Sequence, residues 1–302
     1  MRPYLLFVSG ITGLAGLALA RDLGAAAVAA LAVVFFLTYG FGQALTDCFQ
    51  LDTDRLSAPY RPLVQGHIRR ADVLAVSLVG LVASGLVIGG LAPGTLPLCA
   101  LAITGLATYT WFKRRWWGGP WYNAWIVALL LFIAAQAGAG LSWRTPALLG
   151  ALVAALCGYA NFVLVGYYKD VAADRATGYR TLPVVFGLPA SHRVSDLLAA
   201  LALVGGLASA AASVGASGVR GGTMAAAFAL AALAATVVAQ VRVHRVTSDR
   251  DAHVAIVPVV HAYLLLLATV AAAAQPAWAP LLVLFYLGFV ATLHRRPMAE
   301  QI

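Results

Sequence analysis

Residues 24–54 read GAAAVAALAVVFFLTYGFGQALTDCFQLDTD. From Gly24 to Thr46 there is no charged side chain, and then three aspartates, Asp47, Asp52 and Asp54, follow within eight positions. An apolar run of about 20 residues, rising 1.5 Å per residue as a helix, has the length of a bilayer's hydrocarbon core. The stretch therefore specifies a membrane-spanning helix that ends in a cluster of carboxylates. Its apolar half recurs along the whole chain.

Of the 302 residues, 62% are hydrophobic and 10% charged, with a mean hydropathy of +0.88. A soluble domain carries about a quarter charged residues, so the composition belongs in a bilayer. Run lengths and polar breaks predict spans at 3–20, 24–46, 72–92, 94–112, 122–141, 146–168, 190–214, 223–241, 254–274 and 277–294. The expected architecture is an all-α polytopic bundle of nine or ten transmembrane helices. Charge orients it, because cytoplasmic loops collect Lys and Arg. With the N-terminus inside, 17 of the 20 basic residues fall on one side, and only Arg21, Arg144 and Arg220 fall on the other. The net charge of +9 then describes a cytoplasmic face meeting anionic headgroups, and a nucleic-acid partner is not required. Arg2, the following apolar run and Ala18-Leu19-Ala20 imitate a secretory signal, but the run exceeds a signal's apolar core and is read as the first span. Cys48, Cys99 and Cys157 show no metal-ligand spacing and read as small core residues.

Asp47, Gln50 and Asp54 stand at i, i+3 and i+7, which on a continuing helix is one face, with Asp52 pointing elsewhere. Polar groups at a membrane border face a cavity by default, although a solvated helix end pairing with Arg55 and Arg61 explains this stretch alone equally well. A second stretch, YYKDVAADRATGYRTLPVVFG at 167–187, favours the cavity. Asp170 and Asp174 lie one turn apart at the cytoplasmic end of the sixth span, Gly178 supplies a stop, and Lys169 and Arg180 flank them. Five of the 11 acids thus gather in two places at one depth. Mg²⁺ takes few carboxylates and completes its shell with phosphate oxygens, while Arg and Lys neutralise what phosphate charge remains. Two facing carboxylate clusters can therefore hold a diphosphate as it departs, with an isoprenoid tail among the apolar helices below.

These residues resemble the UbiA superfamily of intramembrane prenyltransferases. Its first motif, N-D-x-x-D-x-x-x-D followed by R-P, aligns without gaps with TDCFQLDTDRLSAPYRPL at 46–63. Its second, K-D-x-x-x-D-x-x-x-G-x-x-T-L-P, is matched by KDVAADRATGYRTLP at 169–183. YTWFKRRWWGGPWYNA at 109–124 is similar to the family's Tyr…Lys-Arg loop with its downstream G-P-x-x-N-A, and Arg2-Pro3 before the first helix is also typical. The resemblance covers the chain to about residue 274, leaving the helix at 277–294 as an addition to one catalytic domain. Two departures fall in the first motif, Thr46 for the usual Asn and Gln50 for the second Asp. An amide oxygen coordinates Mg²⁺ without bringing charge, so weaker metal binding is expected there unless an unwound helix turns Asp52 inward.

The resemblance implies Mg²⁺-dependent transfer of an isoprenyl group from an allylic diphosphate to an aromatic or other lipophilic acceptor, and no residue decides among a phenolic acid, a naphthoate, a quinone precursor, a tetrapyrrole and a glycerol lipid. Asp47, Gln50 and Asp54 are expected to hold one Mg²⁺, and Asp170 and Asp174 the other. Lys169, Arg61, Arg2, Tyr109 and Lys113 are expected to contact diphosphate by similarity, and Arg180 by its spacing. The plain alternative for Lys113, Arg114 and Arg115 is a positive-inside anchor. The aromatics from Tyr109 to Trp125 read mainly as an interfacial belt, Asn123 either orients an acceptor or caps a helix, and His67 and His192 read as surface histidines. Replacing Asp170 or Asp174 by Ala is expected to abolish turnover with the bundle intact. Rival readings are a terpene cyclase on the same scaffold and a secondary transporter. The D-x-x-D-G-x-x-A-R pattern of CDP-alcohol enzymes is absent. The protein is expected in a bacterial inner membrane, its motif loops and cavity mouth facing the cytoplasm.

Overall fold

A computed structural model describes residues 3–20, 22–138 and 145–295, with backbone alone at 215–221. Among the described residues there is no strand. The chain opens with a 3-10 turn, Pro3–Leu5, and continues through α1 (Leu6–Leu19), α2 (Ala25–Asp47), α3 (Leu51–Ser57), α4 (Arg70–Leu91), α5 (Leu96–Arg115) and α6 (Gly119–Ala135). It then forms α7 (Pro146–Gly166), α8 (Val171–Ala176), α9 (Leu182–Val243), α10 (Ala252–Ala274) and α11 (Ala279–His294). Eight of the described helical segments are long and apolar enough to cross a membrane, and two shorter apolar ones, Pro3–Leu19 and Gly119–Ala135, join them. Proline opens several helices, as at Pro120, Pro146 and Pro280, where its missing N–H would have had no helical partner anyway.

Helix α9 is two spans. A straight helix of 62 residues would run about 93 Å. Instead Gln240 donates to Asp196 at 2.7 Å and Asp196 meets His244 at 2.8 Å, so its two ends lie side by side. The arms are Leu182–Val214 and Gly222–Val243. The first arm begins eight residues before the position expected from sequence. The added turns, LPVVFGLP at 182–189, carry Gly187, at φ +79°, and Pro189, two residues that read as helix breakers.

Helices α7 and α10 form the middle of the bundle, packed against α1, α6 and the arms of α9 around a core rich in alanine. Small side chains let helices approach closely where lipid supplies no hydrophobic drive between them. The α7–α9 contact is tightest at Gly150 and Gly205, where a Cβ on Gly150 would stand 2.6 Å from the Gly205 carbonyl oxygen. Ser209 of α9 donates to the Ala147 carbonyl at 2.7 Å and closes the same contact. Helix α11 lays Phe285 against Phe7 of α1, ring centroids 4.9 Å apart, and its Tyr286 hydroxyl meets His261 of α10 at 2.7 Å. The C-terminal ends of α2, α5 and α7 and the N-terminal end of α6 converge at one end of the bundle. That convergence brings the motif residues together.

Candidate active site

The second helix does not continue through the first acidic stretch. It ends at Asp47, residues 48–50 form a turn, and α3 restarts after Gln50. Asp47, Gln50 and Asp54 nevertheless line one polar cavity with Arg61, Tyr109, Lys113, Lys169 and Asp170. The face expected from an unbroken helix is therefore assembled by a turn and a second short helix.

Cations stand between the anions. Arg61 lies 3.4 Å from Asp47 and hydrogen-bonds Asp54. Lys113, 3% exposed, donates to the Gln50 side-chain Oε1 at 3.0 Å and lies 3.6 Å from Asp174, which is wholly buried. It is no interfacial anchor. Two rings close around its ammonium, those of Tyr167 and Tyr179, with centroids 4.8 and 5.1 Å away. Burial pushes the Asp54 carboxyl above the usual carboxylate range, Arg61 pulls it back, and Asp47 and Asp170 raise it again. The two acidic clusters are thus near enough to repel each other.

Several partners in the site were not singled out from sequence. Gln43 donates to Asp47 at 2.7 Å from one turn earlier in α2, and Thr181 donates to Asp174 at 3.2 Å. Tyr109 and Tyr167 join hydroxyls at 2.6 Å. Their spacing carried the signal for Gln43, which is four residues from Asp47 on a helix. Tyr167 had none, since it reaches Tyr109 only through the fold.

Asp52 keeps the outward direction expected of it, turning to Arg114 and Tyr179 despite the helix break. Other expectations change. Arg180 is exposed and does not line the cavity, and its backbone N–H donates to the Arg114 carbonyl at 3.0 Å. Gly178, at φ +76°, starts an extended segment there, and alternation buries Tyr179 and Thr181 while sending Arg180 outward. His192 is buried, 8% exposed, against the ring of Tyr168, because it sits inside α9 and not in a loop. Trp111, Trp116 and Trp117 are exposed as a belt requires, and Tyr109 is not. Arg2 lies outside the described residues.

The donor set suits a hard cation. The cavity offers the carboxylates of Asp47, Asp54 and Asp170 and the side-chain amides of Gln43, Gln50 and Asn123, while Asp174 does not line it and its buried Oδ1 has no hydrogen-bond partner. Yet no three acids, histidines or cysteines among the described residues are grouped tightly enough to hold a metal ion unaided. Arg61 and Lys113 occupy the gaps. A metal that brings phosphate oxygens to its own shell fits such a site, and a bare ion fits it less well.

An apolar chamber continues from the polar cavity into the bundle, and Tyr39, Gln43, Thr46, Asn123 and Tyr159 line both. Its far end is formed by Ile88, Cys99 and Ile133. From Asn123 to Ile133, α6 runs about 15 Å at 1.5 Å per residue. This pairing of spaces suits a ligand with a charged head at one end and an apolar tail at the other. A transport path would place its acids along the depth of the bundle, and these gather at one end.

Comparison with known proteins gives the same direction. The model of the UbiA prenyltransferase family matches residues 9–257. Digeranylgeranylglyceryl phosphate synthase of Halobacterium salinarum is 32% identical over 61% of this chain and 64% of its own length, so the matched part spans just under two thirds of that relative. The enzyme of the same name from Thermococcus sibiricus is 27% identical over 71% of this chain and 77% of its own. A UbiA homolog from Aeropyrum pernix superposes with a TM-score of 0.71, at 20% identity over 89% of this chain and 98% of that one. One from Archaeoglobus fulgidus, solved bound to DMAPP and Mg²⁺, gives 0.65 at 15% identity over 91% and 97%. At these identities the superpositions show the fold.

Proposed function

Since this chain belongs to the UbiA prenyltransferase family, we propose that it transfers an isoprenyl group from an allylic diphosphate to a lipophilic acceptor of glycerophosphate type, releasing diphosphate. The observation that carries the reading is the join between the two spaces: a cavity of interleaved acids and bases opening directly onto an apolar chamber. The relatives' name favours a glyceryl phosphate acceptor over the aromatic alternative. Those relatives are archaeal, so they support an integral membrane enzyme without supporting a bacterial one.

Lys169, Arg61, Lys113 and Tyr109 bind the diphosphate in this reading, and the chamber takes the tail. Asp47, Gln50 and Asp54 would hold one Mg²⁺ and Asp170 and Asp174 the other, and the metal would neutralise charge on the leaving group. The carbon–oxygen bond of the allylic diphosphate breaks and its electron pair leaves with the diphosphate. An acceptor hydroxyl oxygen then forms the new bond to the allylic carbon and gives up its proton. The buried aromatic rings of Tyr109, Tyr159 and Tyr167 face this space and favour positive charge as it develops. The motif loops and the N-terminus face the cytoplasm, and the catalytic unit ends with α10, with α11 added to it.

Purified protein incubated with Mg²⁺ and geranyl, farnesyl or geranylgeranyl diphosphate, with and without a glyceryl phosphate ether lipid, tests the proposal. An adduct formed only with acceptor, together with released diphosphate, is the expected result. A cyclic hydrocarbon formed without acceptor would replace it with a cyclase.

A further inference from the structure

Helix α10 borders two separate spaces. Ile256 lines the polar cavity, while Val257 and His261, one turn apart, line a groove between the second arm of α9, α10 and α11. The groove holds about 840 Å³, a volume in the range of small-molecule sites, and shares no lining residue with the polar cavity or the apolar chamber. One of its walls, α11, lies beyond the residues that the family model matches.

The groove is basic at one end and apolar along its length. Arg242 and His294 stand in the last turns of α9 and α11, with exposed Arg245 and Arg295 just beyond them. No carboxylate is among the described residues that line it. Ala231, Ala234 and Val238 carry the wall on along the same arm, about 17 Å from Ala231 to Arg242, and all three are exposed, so in a bilayer this length faces hydrocarbon. Arg242 is positioned by the backbone of α10. Pro258 has no N–H to give the Val254 carbonyl, and Arg242 Nη1 donates to that carbonyl instead, at 3.3 Å. The rest of the guanidinium fork is left to face an anion. Deeper, about 14 Å from the start of α10, His261 meets the Tyr286 hydroxyl of α11 at 2.7 Å, a polar pair that fixes the distance between two walls. An ionisable side chain inside a membrane helix marks a functional site by default.

We propose that this groove holds one anionic glycerophospholipid of the surrounding bilayer, its phosphate on Arg242 and His294 and one chain along the alanine face of α9, past the His261–Tyr286 pair. Cations with no carboxylate among them select a headgroup of net negative charge over a zwitterionic one. The lipid fills the space between α9 and α11 and so ties the last helix to the bundle. It is not a substrate, because α10 separates it from the reacting space, and the inference does not depend on the reaction proposed above.

The test takes purified full-length protein in mixed micelles with phosphatidylglycerol or phosphatidylcholine, counts retained lipid by native mass spectrometry and follows thermal unfolding in the same mixtures. The variants are Arg242→Gln, which keeps an N–H for the Val254 carbonyl and removes the charge, Arg242→Lys, which keeps the charge, and Ala234→Phe, which fills the groove from an exposed position. The parent is expected to retain one phosphatidylglycerol per chain about tenfold more tightly than phosphatidylcholine, the scale of a hydrogen bond between charged groups, and to unfold at a higher temperature in its presence. Arg242→Gln is expected to lose the preference and Arg242→Lys to keep most of it. Ala234→Phe is expected to release both lipids, and to unfold near the parent temperature when each is lipid-free. Equal retention of the two lipids by the parent, or phosphatidylglycerol held by Arg242→Gln and Ala234→Phe as the parent holds it, would overturn the site. Glycerol 3-phosphate added in place of lipid is expected to leave unfolding unchanged, and a shift as large as the lipid's would replace the lipid with a soluble phosphate ligand.

Discussion

Lys113 and Arg61 each stand between two oxygen-bearing groups, and their burial differs enough to give different mutational outcomes. Asp174 is fully buried against Lys113, so Asp174→Ala strands a cation in a dry site, a change that costs about 3–5 kcal/mol when a buried pair is broken. That variant is therefore expected to lose both activity and melting temperature, in contrast to the intact bundle expected from sequence. Asp170 is only partly buried and faces the cavity. Asp170→Asn is expected to cut diphosphate release by about 10²-fold or more while thermal unfolding in detergent stays near that of the parent, the scale of losing one partner of a developing charge. Gln50→Asp restores the acid of the family's first motif beside Lys113 and is expected to lower the Mg²⁺ concentration needed for half-maximal turnover. An unchanged Mg²⁺ dependence would show that this position does not meet the metal. Residues in the motifs were legible because their chemistry is carried by type and spacing. The outward direction of Arg180 depends on the left-handed turn at Gly178, which its spacing from the aspartates does not report, and the burial of His192 depends on the ring of Tyr168, a neighbour that only the fold supplies.

Helices were legible where the solvent dictated them. In hydrocarbon every backbone polar group must be paired within its own segment, so a long apolar run has no other structure open to it. The two short helices over the site obey no such rule. With 7 and 6 residues, α3 and α8 lack the length to be stable alone, and they are held by contacts such as Thr53 with Thr177. No periodicity announces them. Packing between helices was likewise hidden, and the Gly150–Gly205 contact makes it testable. A side chain on Gly150 meets backbone atoms, which have no rotamer to escape by, so Gly150→Val is expected to destabilise the bundle by about 1–3 kcal/mol, read as a lowered unfolding temperature. Gly90 in α4 has open space around its Cβ position, and Gly90→Ala is expected to leave stability unchanged or raise it by up to about 1 kcal/mol.

Across the whole molecule, the interleaving of cations with carboxylates predicts how metal and substrate share the site. With Arg61 and Lys113 already between the acids, Mg²⁺ alone is expected to shift thermal unfolding little, and Mg²⁺ with inorganic diphosphate much more than the two separate shifts combined. Additive shifts would count against a metal site completed by phosphate. Removing the metal with EDTA is expected to stop diphosphate release and to leave the bundle folded, because the core around α7 and α10 contains none of the proposed ligands. The convergence of α2, α5, α6 and α7 at one end has a further consequence for where the reaction happens in a cell. Under the proposed reaction, the charged head of the donor never has to cross the hydrocarbon, and the product is left in the leaflet from which the donor came. Such an enzyme builds lipid on one side of the membrane only, and the growth of the opposite leaflet then depends on some separate means of carrying lipid across.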